Sequence, residues 1–95
     1  MAVHSKDSRR IGQNLRKVRL RKGMMQIDVA VATDQNRTYI SRIETGQARI
    51  TICLLCHLVN GLEVTFQDLL GNTNMARVLD NILGGKKEKG AEQNV

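Results

Sequence analysis

A chain of 95 residues has room for one hydrophobic core and excludes a multidomain enzyme. That core must be aliphatic, because the sequence holds one Tyr, one Phe and no Trp, and the lack of Pro together with short β-branched runs favours helices. The net charge of +6 points to an anionic partner, nucleic acid first, and no run approaches the ~18 apolar residues of a membrane span.

In chain order, residues 1–7 read as a polar, flexible N-terminus. The opening "MAVHSKDSRR" has no apolar signal-peptide core, so the expected compartment is the cytoplasm, at the nucleoid, where the cysteines stay reduced. Ser8 is placed to cap a first helix that runs to about Lys22, with Ile11, Leu15 and Val18 on its buried side. Gly23 ends it. A second helix covers about Met25 to Thr33, with Ile27, Val29, Ala30 and Val31 as its apolar surface. Asp34, Gln35 and Asn36 break the pattern, and Asn36 caps a third helix, about Arg37 to Thr45, that buries Ile40 and Ile43.

Gly46 stops the third helix, and residues 47–50 form a loop. Thr51 caps a fourth helix, about Ile52 to Leu62. Thr65 caps a short fifth, Phe66 to Leu70, with Gly71 behind it. Met75, Val78, Leu79, Ile82 and Leu83 then recur at helical spacing and mark a sixth amphipathic stretch. The division expected is a core domain at 8–71, a C-terminal amphipathic helix at 72–84 and a flexible tail at 85–95. The fold class expected is all-α: a compact five-helix domain with this sixth helix appended.

Charge is unevenly distributed along this frame. Residues 1–49 hold eleven Lys or Arg against four acidic residues, whereas residues 50–95 hold four against five. The basic half is therefore the half expected to meet a polyanion. Within it, two short helices joined by a tight turn make a helix-turn-helix arrangement. The solvent face of the third helix presents Arg37, Thr38, Ser41 and Arg42, none of which the fold needs. Arg is the side chain that pairs bidentately with guanine O6 and N7. No nucleophile–base pair is visible and the carboxylates are scattered, so no catalytic residue, cofactor or metal is expected.

The stretch "IGQNLRKVRLRKGMMQIDVAVATDQNRTYISRIETGQARITICLLCHLVNGLEVTFQDLL" resembles the phage-repressor type of helix-turn-helix, the lambda repressor/Cro or XRE family. The resemblance spans residues 11–70 and rests on Ile11, Leu15, Arg19, Gly23, Gln26, Val29, Ala30, Ile40, Ser41, Ile43, Glu44, Gly46, Leu55, Leu62, Val64, Leu69 and Leu70. It implies base contacts from Asn36, Arg37, Thr38 and Arg42. It implies phosphate contacts from Gln26, through its side chain and backbone N–H, and from Tyr39, Ser41 and Arg49. Arg19 and Glu44 match the family's structural ion pair between the first and third helices. The sequence departs from the family in the turn, where Thr33, Asp34 and Gln35 replace aliphatic, Gly and aliphatic residues, and at Met25, where the second helix usually has a Ser or Thr cap. What the resemblance implies about function is a double-stranded DNA-binding transcriptional regulator. The expected form is a homodimeric repressor on a palindromic operator, and RNA polymerase is a further candidate partner. The alternative is a restriction–modification controller, or an antitoxin that also binds a toxin.

The segment "CLLCH", Cys53 to His57, has the spacing of a c-type haem attachment site. Haem needs room for a porphyrin and an oxidising compartment, and a helix wedged into a small core offers neither. Zinc lacks a fourth ligand, since the only other His is His4. The cysteines are read as small apolar fillers, with a thiol-sensing role as the lesser alternative. On the fourth helix, Ile52, Leu55, Val59 and Leu62 form the expected buried arc, while Cys53 and Leu54 make part of its outer face apolar. Together with Phe66, Leu69, Met75, Val78, Leu79 and Ile82, that outer face is read as a homodimer interface. The competing reading is that 75–83 folds back on its own domain.

Overall fold

The computed structural model describes residues 5–83. Its helices are α1 (Ser5–Arg21), α2 (Gln26–Ala32), α3 (Arg37–Glu44), α4 (Ile52–Leu62), α5 (Phe66–Leu70) and α6 (Asn74–Leu83). The expected all-α architecture is borne out, sixth helix included. The expected C-terminal tail, 85–95, and residues 1–4 lie outside the described residues.

α1 begins three residues before the expected cap. Ser8 is therefore a buried residue inside the helix, and residues 5–7 of the expected flexible segment are helical. Asp7 in the first turn favours this start, since a carboxylate there opposes the positive end of the helix dipole. The bounds of α4 and α5 fall where expected, because each has an unambiguous cap. The Thr51 hydroxyl accepts from the Leu54 N–H, and the Thr65 hydroxyl from the Asp68 N–H, each at 3.1 Å.

α1 packs on α3 and α5, α3 on α1 and α2, and α6 on α5. Ile11 and Leu15 of α1, Ile40 and Ile43 of α3, Leu55 and Leu58 of α4, and Phe66 and Leu69 of α5 fill a common aliphatic centre. The α1–α3 crossing is closest at Gly12, where a Cβ would sit 2.0 Å from the Ile43 carbonyl oxygen. Only a residue without a side chain allows the two backbones to meet there.

Three expectations about packing need correction. Ile27 and Val31 remain 46% and 75% exposed, because a two-turn helix has inward room only for Val29 and Ala30. Leu54 is buried rather than on an outer face, since α4 is covered by both α2 and α5. Phe66 and Leu69, expected at a dimer interface, are 1% and 0% exposed. They are used up in the domain's own core, so no second chain can reach them.

Candidate nucleic-acid interface

The turn between α2 and α3 decides how α3 is presented. α1, α2 and α3 all end in the same way, with a left-handed residue after the last turn: Gly23 at φ +70, Asp34 at +59 and Gly46 at +78. In each case the next N–H reaches back five residues, from Met24 to the Arg19 carbonyl at 3.0 Å, Gln35 to Ala30 at 2.8 Å and Gln47 to Arg42 at 2.8 Å. Asp34 thus performs the glycine's part, which a short polar side chain tolerates better than most residues do. Thr33 closes the turn from inside, its hydroxyl donating to the Val29 carbonyl at 2.7 Å. At the other end of α2, Met25 offers no capping side chain. The Asp28 carboxylate supplies half a capping box by accepting from the Met25 N–H at 2.8 Å.

α3 then shows two faces. Ile40 and Ile43 are fully buried, and Arg37, Thr38 and Arg42 are exposed. Ser41 and Tyr39 are half-buried at the two edges of the exposed strip. Asn36 is exposed, but its side-chain oxygen accepts from the Tyr39 N–H at 2.8 Å, which leaves the amide nitrogen as its free group. Both roles expected of Asn36 can coexist only on those terms: the oxygen caps and the nitrogen reaches outward.

Arg19 and Glu44 form the expected ion pair, with Nε to Oε2 at 2.6 Å and Nη2 to Oε1 at 3.0 Å. Arg19 Nη1 also donates to the Met24 carbonyl at 3.1 Å. The hydrogen bonds to Glu44 hold the guanidinium above its ordinary value, against the opposing pull of burial, so it stays charged.

This pair extends outward through Gln26. The Gln26 Nε2 donates to Glu44 Oε1 at 3.2 Å, and its Oε1 accepts from Arg37 Nη1 at 3.2 Å. A carboxylate on one side and a guanidinium on the other fix which way the amide faces. The phosphate contact expected from the Gln26 side chain therefore has only the second amide hydrogen available while these bonds last. The link from a buried ion pair to an exposed arginine is the feature that sequence reasoning missed. No spacing rule connects residues 19, 26, 37 and 44.

The opposite edge of α3 is tied to the following loop. The Tyr39 hydroxyl donates to the Arg49 carbonyl at 3.2 Å, and Arg49 itself is exposed. The stem of Arg9 lies against Gly46, where an added Cβ would be 3.4 Å from the Arg9 Cα. Arg9 is exposed, so it joins the basic groups around the C-terminal end of α3, a place the sequence did not assign to it.

Cys53 is exposed and Cys56 half-buried. Burial, and then the neighbouring Cys53, push the Cys56 thiol up, which disfavours its reactive thiolate. Among the described residues no cluster of three metal-ligating side chains occurs, and no helix is long and apolar enough to cross a membrane.

The sequence profile of the helix-turn-helix family matches residues 15–69. The chain belongs to that family. As a helix-turn-helix protein it is similar to several solved structures. The restriction–modification controller protein C.AhdI from Aeromonas hydrophila is 29% identical, with a TM-score of 0.65 over 70% of this chain and 96% of that one. The controller C.Esp1396I is 40% identical, with a TM-score of 0.59 over 61% of this chain and 76% of that one. Its tetramer in complex with its natural 35 base-pair operator matches at the same identity and coverage, with a TM-score of 0.58. Comparison with curated proteins gives no significant match. The resemblance to the lambda repressor/Cro (XRE) type is borne out.

Proposed function

We propose that this helix-turn-helix protein is a sequence-specific regulator of transcription that acts by occupying double-stranded DNA in the cytoplasm. The observation that carries the reading is the two-sidedness of α3: its aliphatic side is fully buried while Arg37, Thr38 and Arg42 stand exposed on the other. At eight residues α3 is about 12 Å long, which suits a major groove about 12 Å wide. In this reading Arg37 and Arg42 address base edges, with Thr38 and the Asn36 amide nitrogen beside them. Tyr39, Ser41, Arg49 and the free amide hydrogen of Gln26 contact phosphates. The chain works as a homodimer, each copy reading one half of a palindrome with half-sites about 34 Å apart. The chemistry is binding rather than catalysis, and repression follows from excluding polymerase.

A more specific reading, a restriction–modification controller, is favoured over an antitoxin by the 40% identity to C.Esp1396I and the 29% identity to C.AhdI. Transcription in vitro from the promoters beside the chain's own gene separates them. A controller acts on restriction and modification genes, whereas an antitoxin needs a toxin partner.

The test of the general reading is a salt titration of binding to a site selected from random duplexes. Affinity should fall on the order of 10³-fold between 50 and 200 mM salt if six phosphates are gripped. Arg37→Ala should cost about 1–3 kcal/mol on the selected site and relax preference at one base pair. A uniform loss on all sequences would demote Arg37 to a phosphate contact. Salt-insensitive binding without sequence preference would remove the regulator reading and leave a protein-interaction module.

A further inference from the structure

More exposed positive charge lies on α1 than on the recognition helix. Arg9, Arg10, Arg16, Lys17 and Arg21 are all exposed on α1, against Arg37 and Arg42 on α3 and Arg49 in the loop behind it. The α1 cations form two rows. Gly12 marks the side of α1 that touches α3, because a Cβ there would meet the Ile43 carbonyl oxygen. At 100° per residue, Arg9 and Arg16 lie within about 60° of that side, whereas Arg10, Lys17 and Arg21 lie about 140–180° round from it. The second row therefore points away from α3. On α3, in turn, Ile43 lies on the buried side, opposite exposed Arg37, Thr38 and Arg42. The two basic faces stand back to back.

We propose that the outward row Arg10, Lys17 and Arg21 is a second nucleic-acid site, which holds phosphate backbone without reading sequence while α3 occupies a groove elsewhere. Two helix widths of about 10 Å each separate this row from a duplex on α3, and that is twice the screening length of ~10 Å at 0.1 M salt. The row therefore adds little to holding the duplex that α3 reads. It does not serve the fold either, since Lys17 and Arg21 are like charges one helical turn apart and so oppose each other.

The row is also uncompensated. Among the described residues the ion pair on this face is Arg10 with Asp7 at 3.8 Å, and both side chains remain about half exposed. Carboxylates of the neighbouring α5 and α6 are turned to backbone: Asp68 accepts from the Thr65 N–H at 3.0 Å, and Asp80 from the Phe66 N–H at 2.8 Å and the Gln67 N–H at 3.2 Å. Charge complementarity selects a polyanion, and composition selects nucleic acid over an acidic protein. A protein interface has an apolar core, whereas the apolar side chain on the exposed side of α1 is Leu20 alone. The row spans about 16 Å at 1.5 Å per residue, and a duplex presents roughly ten phosphate charges over that length. One chain can then join two stretches of DNA, from one molecule or from two.

The test uses the full chain. A variant with Arg37→Ala and Arg42→Ala, stripped of both arginines of α3, should still bind a duplex of random sequence at 50 mM salt, with a dissociation constant on the order of 10⁻⁴ to 10⁻⁶ M. With three phosphates gripped, that binding should weaken about 40-fold by 200 mM salt. Adding Arg10→Gln, Lys17→Gln and Arg21→Gln should weaken it at least ~10-fold at 50 mM. The far-UV circular dichroism should not change, because all three positions are exposed and Gln is a good helix former. Removing the same charge by Lys86→Gln, Lys87→Gln and Lys89→Gln should cost less than ~3-fold. Two further arms locate the DNA. A wild-type chain saturated with a short selected site and still capturing a labelled second duplex shows a separate molecule. Tighter binding when the same site carries random flanks, without capture, shows the flanks of the bound DNA. Either gain should vanish with the three α1 substitutions. The proposal is overturned if neither gain occurs, if the α1 substitutions leave random-duplex binding unchanged, or if the Lys86, Lys87 and Lys89 substitutions weaken it as much. Retention of an oligoglutamate peptide where duplex is not retained also overturns it, and assigns the face to an acidic protein. Failure to select any preferred site would remove the regulator reading and leave the random-duplex comparison standing.

Discussion

Glu44 links the buried Arg19 to Gln26 and through it to the exposed Arg37, so replacing it separates stability from the DNA reading proposed for Arg37. Its side chain is 3% exposed and takes two bonds from Arg19 and one from Gln26. Glu44→Leu leaves the Arg19 side chain, 11% exposed, with the Met24 carbonyl as its remaining hydrogen-bond partner among the described residues. Removing one member of a buried pair costs about 3–5 kcal/mol. For a domain of this size that lowers the melting temperature by at least about 12 °C, read by circular dichroism at 222 nm. The double variant Arg19→Met with Glu44→Leu replaces the pair by apolar packing and should return to within about 1 kcal/mol of the wild type. It does not restore the Gln26 amide, whose donor bond to Glu44 is gone. If Arg37 addresses a base edge as proposed, the double variant should therefore fold normally, keep its salt-dependent affinity and lose up to about tenfold of its discrimination at that base pair, or ~1.4 kcal/mol. A Glu44→Leu cost under about 1 kcal/mol, or a double variant as unstable as the single one, would refute the treatment of Arg19 and Glu44 as a buried, coupled pair. Full discrimination in the double variant would show that Gln26 does not orient Arg37.

Asp34→Gly should raise the urea midpoint, by about 0.5–1 kcal/mol of stability, because φ +59 suits glycine better than aspartate, whereas Asp34→Val should lower it. Gly12→Ala should cost more than about 3 kcal/mol, since the new methyl carbon would meet the Ile43 carbonyl oxygen at 2.0 Å; a normal melting curve would mean α1 and α3 can separate without penalty. Alkylation by iodoacetamide near pH 8 should modify exposed Cys53 at least ~10-fold faster than Cys56, whose thiol is pushed up by burial, and peptide mass mapping that found equal rates would contradict that environment.

The elements legible in the sequence are those whose signals are local. Thr51 and Thr65 announce α4 and α5 because a hydroxyl three residues ahead of an N–H is a complete hydrogen-bond instruction. Gly23 and Gly46 announce two helix ends because few other residues accept those backbone angles. The exposed arginines of α3 follow from the spacing of Ile40 and Ile43 on the opposite side. The start of α1 at Ser5 is not legible in the sequence, because Ser5, Lys6 and Asp7 are equally compatible with coil and with a first helical turn.

What this sequence settles by itself is its helices, its basic half and the face of α3 that solvent sees, because periodicity and capping depend on residues three or four positions apart. Only the tertiary structure decides which surfaces are already taken. Phe66, Leu69 and Leu54 look available in the sequence and are consumed by the core, while Ile27 and Val31 look like core and are left exposed. The same holds for the Gln26 bridge between Glu44 and Arg37, and for the Asp80 cap on α5. These depend on groups brought together from 11 to 18 residues apart along the chain, a distance over which no local pattern carries information.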